Sequence, residues 1–232
     1  MDFKVDKKPY DDRELFTKES FELKPNTISC FVGCNGTGKT TAIHYVEDAL
    51  KNKNAEELKN EVYPEFVKAM RSVAGEEEPK NKDKLFYINF SKHTKNATSE
   101  LDSFLTDAGV AFSSTGEGVS YRLGKTLELL GRSVTKLANK DATLFIFFDD
   151  CDAGTSLDKI VEIKDVVYMV ADHCKQCNIT YYIVLTANSF EMCRDLDCIS
   201  VHNFEHLKFT DYDEYKKFVL DSADIKNKSF KD

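Results

Sequence analysis

Eight residues, Gly33-Cys34-Asn35-Gly36-Thr37-Gly38-Lys39-Thr40, gather three glycines, an ammonium and a hydroxyl at one point in the chain. Each glycine costs folding entropy, so the cluster implies a compensating use. The spacing fits G-x-x-x-x-G-K-[ST]. In that pattern backbone N–H groups converge on phosphate oxygens that bulky side chains would keep away. A helix starting just beyond the loop adds free N–H donors and the positive end of its dipole. On this reading Gly33, Asn35, Gly36, Thr37, Gly38, Lys39, Thr40 and Thr41 form a phosphate site. Lys39 reaches the β- and γ-phosphates of ATP, and the Thr40 hydroxyl ligates Mg2+.

A loop of this kind needs an acid at the end of a second strand. "LFIFFDD" (144–150) supplies two. Asp149 is the expected partner of Mg2+. Asp150 stands where a base or a water-positioning residue belongs.

The elements that must hold these groups are visible in the patterning. "FEL" (21–23) and "TISCFV" (27–32) read as two strands joined by a tight turn. A helix follows the glycine loop from Thr40 to about Leu50, and helical stretches are expected around 55–62 and 64–74. "LFYINF" (85–90) reads as a strand by its apolar, aromatic content, "TLFIFF" (143–148) as a strand hydrophobic on both faces, and "ITYYIVLT" (179–186) as a buried strand. Val119, Leu123, Leu127, Leu130, Val134 and Leu137 mark one face of a long helix, and Ile160, Ile163, Val167 and Val170 mark another. "CISV" and "LKF" suggest terminal strands, and Thr210 is placed to cap a last helix, "DYDEYKKFVLDS". Strands alternating with helices predict an α/β fold of the P-loop NTPase type. Its sheet is mostly parallel and helix-covered, with a small antiparallel N-terminal strand region. The expected organisation is one domain over 1–232, with an insertion around 51–84 and a strand–helix extension over 198–232.

Three stretches together resemble ABC-type ATPases, including the SMC and RecF group. Asn35-Gly-Thr-Gly-Lys is similar to their N-G-x-G-K form, and "DDCDAG" (149–154) to their D-E-x-D-A-G stretch. "SSTGEG" (113–118) resembles the signature loop in its S-x-G-E form, followed by a long helix and then the acidic strand. The resemblance covers about residues 20–190 and implies that ATP joins two copies of the chain. Ser114 and the backbone around Gly116 would then cap the γ-phosphate bound to the other copy. Read without the resemblance, the same stretch is a polar helix cap.

The chain departs from that pattern in four places. Asp150 replaces a catalytic glutamate. Asn188 lies near the position of a switch histidine. Thr155-Ser156 replaces Leu-Asp, which follows two residues later. No glutamine follows "LFYINF", where Asn89 is a weak stand-in. Slow hydrolysis is therefore as consistent with the sequence as fast turnover. Too few residues separate Thr40 from Ser114 for coiled-coil arms, and no helical subdomain for docking on a transporter is evident. The overall pattern resembles small ATPases encoded by phages and bacteria, implying a setting in DNA metabolism or defence.

Composition bounds the alternatives. With 232 residues, 41% hydrophobic and 31% charged, the chain can bury a substantial core. No run of about 18 apolar residues suggests a membrane span. The N-terminal stretch lacks the apolar segment of a signal peptide, so a cytoplasmic location is expected. A net charge of −8 argues against coating bare nucleic acid. An effector protein or a nucleic acid as partner has no support beyond Lys92 and Lys95, which read as a solvated face. His93 reads as a loop histidine. The seven cysteines are expected as thiols. A zinc site from Cys174, Cys177, Cys193 and Cys198 is disfavoured because a strand separates the pairs. Tyr10 and Phe16 are candidates to lie against adenine. Two other functions stay open: a nucleotide-gated interaction module with little hydrolysis, and a small-molecule kinase. The kinase would need lid arginines, and only five are present (13, 71, 122, 132, 194).

Overall fold

A computed structural model describes residues 1–10, 13–58, 83–90, 128, 130–132 and 134–229. Among these residues the largest sheet has seven strands in the order β4-β5-β6-β7-β3-β8-β9. They are β3 (Thr27–Val32), β4 (Glu56–Glu57), β5 (Leu85–Asn89), β6 (Thr143–Phe148), β7 (Thr180–Thr186), β8 (Asp197–Ser200) and β9 (His206–Leu207). Every pairing is parallel except β8 with β9. A separate two-stranded antiparallel sheet joins β1 (Asp2–Lys4) to β2 (Ser20–Glu22). Helices α1 (Lys39–Asn52), α2 (Leu157–Gln176), α3 (Phe190–Cys193) and α4 (Tyr212–Ser229) complete the named elements.

The sheet is apolar on both faces because both are covered. Successive strand residues point to opposite sides. Leu144, Ile146, Ile183 and Leu185 pack with Ile160, Ile163, Val167 and Val170 of α2 and with Leu130, Val134 and Leu137. Phe145, Phe147, Tyr182 and Val184 pack on the other side with Ile43, Val46 and Leu50 of α1 and with Phe3 and Phe21 of the small sheet. The long apolar face ending at Leu137 is thus core where it is described, with 134–137 helical. The part of that helix before 128 lies outside the described residues, as does the stretch 64–74.

Three expectations are corrected. Residues 55–57 are not helical: Glu56–Glu57 extends the sheet edge beside β5, and the Leu58 N–H donates to the Tyr87 carbonyl at 2.8 Å. An unpaired edge at β5 outcompetes the weak helical preference of three residues. β2 does not pair with its sequence neighbour β3 but turns to β1, in register Phe3↔Phe21. Thr210 is not the cap of α4. The Asp211 carboxylate accepts the Glu214 N–H at 2.9 Å, while the Thr210 N–H and hydroxyl both donate to the Glu214 carboxylate. This is a capping box shifted by one residue.

All seven cysteines are free thiols. Cys174 and Cys177 lie at the end of α2, before β7, whereas Cys193 and Cys198 lie beyond its far end. Cys198 is register partner to Cys30 and its thiol donates to the Cys193 carbonyl at 3.4 Å. Among the described residues no group of three or more His, Cys, Asp or Glu side chains is placed to hold a metal. Burial pushes the Cys174 thiol up to about 12 and raises Cys151 as well. Cys177 and Cys151 are half-buried, and the other five are buried. A thiol reagent added to native protein should therefore modify Cys177 first, then Cys151, and the other five only on unfolding. Mass spectrometry of timed aliquots reads that order, and early modification of Cys30 or Cys198 would contradict this packing.

Candidate functional site

β3, β7 and β6 are neighbours, so their carboxyl ends lie side by side, the usual place for a ligand crevice in a parallel sheet. The glycine loop leaves the end of β3 and enters α1 there. Gly38 caps α1 with φ +94°, a left-handed conformation, and a Cβ at that position would meet the Phe16 ring at 3.0 Å. Backbone angle and space both require glycine. The Thr37 hydroxyl donates to the Cys34 carbonyl at 2.8 Å and tightens the turn. No side chain caps α1, and its first turn carries no acid. The positive end of the helix is left for an anion from elsewhere.

Lys39 folds back over the loop. Its Nζ donates to the carbonyls of Gly33 at 2.9 Å and Cys34 at 3.3 Å. Burial lowers its pKa, opposed by the charges of Asp152, Cys34, Asp150 and Asp149. The ammonium is thus already stripped of much of its water and held by weak carbonyl partners.

The acids arrive from β6. Asp149 is buried, and its Oδ1 accepts the Thr186 hydroxyl at 2.8 Å. The same hydroxyl oxygen accepts the Asp150 N–H at 2.7 Å. One side chain at the end of β7 therefore fixes both consecutive acids. Asp150 has φ +55°, a left-handed conformation at the turn out of β6. Asn188 donates from Nδ2 to Asp150 Oδ1 at 2.9 Å and to Asp152 Oδ1 at 3.0 Å.

Asn35, Gly36, Gly38, Lys39, Thr40, Thr41, Asp149 and Asp150 line one cleft of about 370 Å³, with Tyr10, Arg13, Leu15, Thr186 and Asn188. Gly33 and Thr37 lie behind this lining and shape the loop. Ser114 and Gly116 fall outside the described residues, as do Lys92, His93 and Lys95. Tyr10 is 53% exposed at the cleft. Phe16 is wholly buried, packed on Phe204 and Tyr45, and cannot offer a face to a base. Asn89 is not in the cleft: its amide donates to Glu47 on α1 at 2.7 Å.

Sequence reasoning passed over Asp152, which is 4% exposed and accepts from four donors. These are the N–H groups of Asn188 and Ser189, the Ser189 hydroxyl and the Asn188 amide. The signal was present: an acid two positions past Asp150, opposite an Asn-Ser pair free to cap a short helix. Arg13, one of the five arginines of the sequence, also lines the cleft without having been assigned a role.

Several solved structures are similar to this chain, two ABC-transporter components among them. One is a nucleotide-free ATP-binding cassette from an ABC transporter, 13% identical with TM-score 0.40 over 91% of this chain and 91% of that one. The other is an ATP-binding subunit of an ABC transporter, 12% identical with TM-score 0.42 over 94% and 95%. No protein-family model and no curated protein matches the sequence.

Asp152 sets the geometry between β6 and β7 beyond the cleft. Asp152→Ala leaves two backbone N–H groups without their acceptor, a loss of about 2 kcal/mol or more. Urea denaturation should show that loss as a lower midpoint with unchanged slope. A variant as stable as the parent would mean that Asn188 and Ser189 find water instead.

Proposed function

We propose that this protein is an ABC-type ATPase that binds MgATP, dimerises on it and hydrolyses it slowly. The observation that carries this reading is the convergence of the Lys39 loop and the Asp149–Asp150 strand end on one cleft. Helix α1 and the loop N–H groups receive the phosphates, and Lys39 exchanges two carbonyls for phosphate oxygens. An ion–ion contact replaces two ion–dipole contacts, which favours the anion.

The donor set fits Mg2+. Thr40 and Asp149 offer a hydroxyl and a buried carboxylate, hard oxygen ligands suited to an ion that keeps several waters. Bound there, the ion would neutralise phosphate charge. Asp150, steadied through Thr186, is the group to orient a water and accept its proton. Ser114 and Gly116 would act on ATP held by a second copy. Tyr10, exposed at the cleft, is available to the base.

One observation favours the second reading, a nucleotide-gated module with little hydrolysis. The Asn188 amide donates to Asp150 Oδ1 and so takes up part of the acceptor capacity that an attacking water would need. Phosphate release by dimer-competent protein separates the two readings. A kinase finds no support in the cleft, where Arg13 is the one arginine among the described lining residues.

Lys39→Ala should weaken ATP binding at least about tenfold by calorimetry. Unchanged affinity would remove the phosphate-loop assignment.

Dimerisation has its own test. Asp150→Asn keeps size while removing the base, and with saturating MgATP it should scatter light as a dimer. Adding Ser114→Arg to that background places bulk and charge at the shared contact. The double variant should be monomeric yet ATP-bound. A monomer in the single variant, or a dimer indifferent to nucleotide, would leave "SSTGEG" as a helix cap.

A further inference from the structure

Helix α4 grips the glycine loop from outside the cleft, to which it contributes none of the described lining residues. Its inner face runs Tyr215, Phe218, Ser222 and Lys226, at helical spacing of three and four. The first two anchor it: Tyr215 packs against Phe190 and Phe209, and Phe218 against Phe209. The next two reach the loop. The Ser222 hydroxyl, in a buried residue, accepts the Cys34 N–H at 3.2 Å. Lys226 Nζ donates to the Asn35 carbonyl at 2.9 Å. Gly36 follows with φ +80°, a left-handed turn that favours glycine.

Peptide geometry turns these contacts into orientation. The bonds concerned are trans, so the C=O and N–H of one peptide plane point in opposite directions. In the Gly33–Cys34 plane Ser222 holds the N–H and Lys39 holds the C=O. In the Asn35–Gly36 plane Lys226 holds the C=O, which directs the Gly36 N–H away from α4. Gly36 itself lines the cleft.

We propose that the end of α4 is a positioning clamp on the loop: Ser222 and Lys226 fix two of its peptide planes, so phosphate affinity depends on residues nearly two hundred positions away. This rests on the nucleotide-binding reading above. Ser222 and Lys226 touch no ligand in this account. They act by sparing the bound phosphates the cost of orienting the loop. Linkage is reciprocal, so a triphosphate in the cleft must tighten the docking of α4.

Calorimetry with MgATP on the full chain tests the clamp. Ser222→Ala and Lys226→Gln should each raise Kd by about three- to tenfold, the range of one net hydrogen bond. Lys226→Arg, which keeps a cationic donor, should restore most of the affinity. Lys217→Gln makes the same charge change on the exposed face of α4 and should leave Kd unchanged. Amide exchange at 222–229 should slow when MgATP is added to the parent chain, and not in the Ser222→Ala/Lys226→Gln double variant. Variants that lower apo stability but leave Kd and the exchange response unaltered would overturn the clamp alone. An equal effect of Lys217→Gln would overturn it in favour of diffuse charge. Failure of the parent chain to bind MgATP would overturn the nucleotide reading, and the clamp with it.

Discussion

Strand β7 pairs in parallel with β6 on one side and β3 on the other, and the site depends on that double pairing. The registers Phe31↔Thr186 and Phe148↔Leu185 set the ends of three strands level. Gly33 leaves one strand, Asp149 leaves another, and Thr186 closes the strand between them. A slip of one residue in β7 would turn Thr186 to the opposite face, that of Ile183 and Leu185, and carry its hydroxyl away from the two acids. The register is pinned because both faces of β7 are buried: Ile183 and Leu185 belong to one core, and Tyr182 and Val184 to the other. Core packing on two sides thus fixes a hydroxyl to within hydrogen-bond reach of two acids.

The cleft also shows how a buried cation can be kept ready. Lys39 is disfavoured as an ammonium by burial, and its direct partners are carbonyl dipoles, not a carboxylate. Carboxylates stand nearby, but Asp149 and Asp150 are held by Thr186 and Asn188. Had an acid reached Lys39, an ion pair would compete with any incoming anion. Thr186 and Asn188 therefore do two things at once: they orient the acids and they leave the lysine uncommitted to them. This is electrostatic preorganisation, with the ammonium held in place before an anion arrives.

Much of this was legible because short-range rules decided it. The predominantly apolar strands β3, β5, β6 and β7 announce burial, and the glycine spacing announces the loop. What stayed hidden depends on contacts distant in sequence. Residues 55–57 look helical until β5 offers a free edge. Phe16 looks like an aromatic lid until Phe204, far along the chain, packs over it. Ser222 and Lys226 look like the polar face of an amphipathic helix. Only the placement of α4 against the loop shows that they point inward.

Asn188 gives the site a character that its neighbours alone would not. The resembled family carries a histidine near this position, a side chain that titrates near neutrality. An amide does not titrate. It offers two N–H donors whatever the pH, and here they go to Asp150 and Asp152. Asp152 in turn accepts the backbone N–H groups of Asn188 and Ser189, and so fixes the amide that fixes Asp150. The loop after β7 and the acid after β6 are thus one hydrogen-bonded unit. Such a unit favours steady geometry at the acid over switching. That is the arrangement expected where a carboxylate must keep one orientation in the cleft.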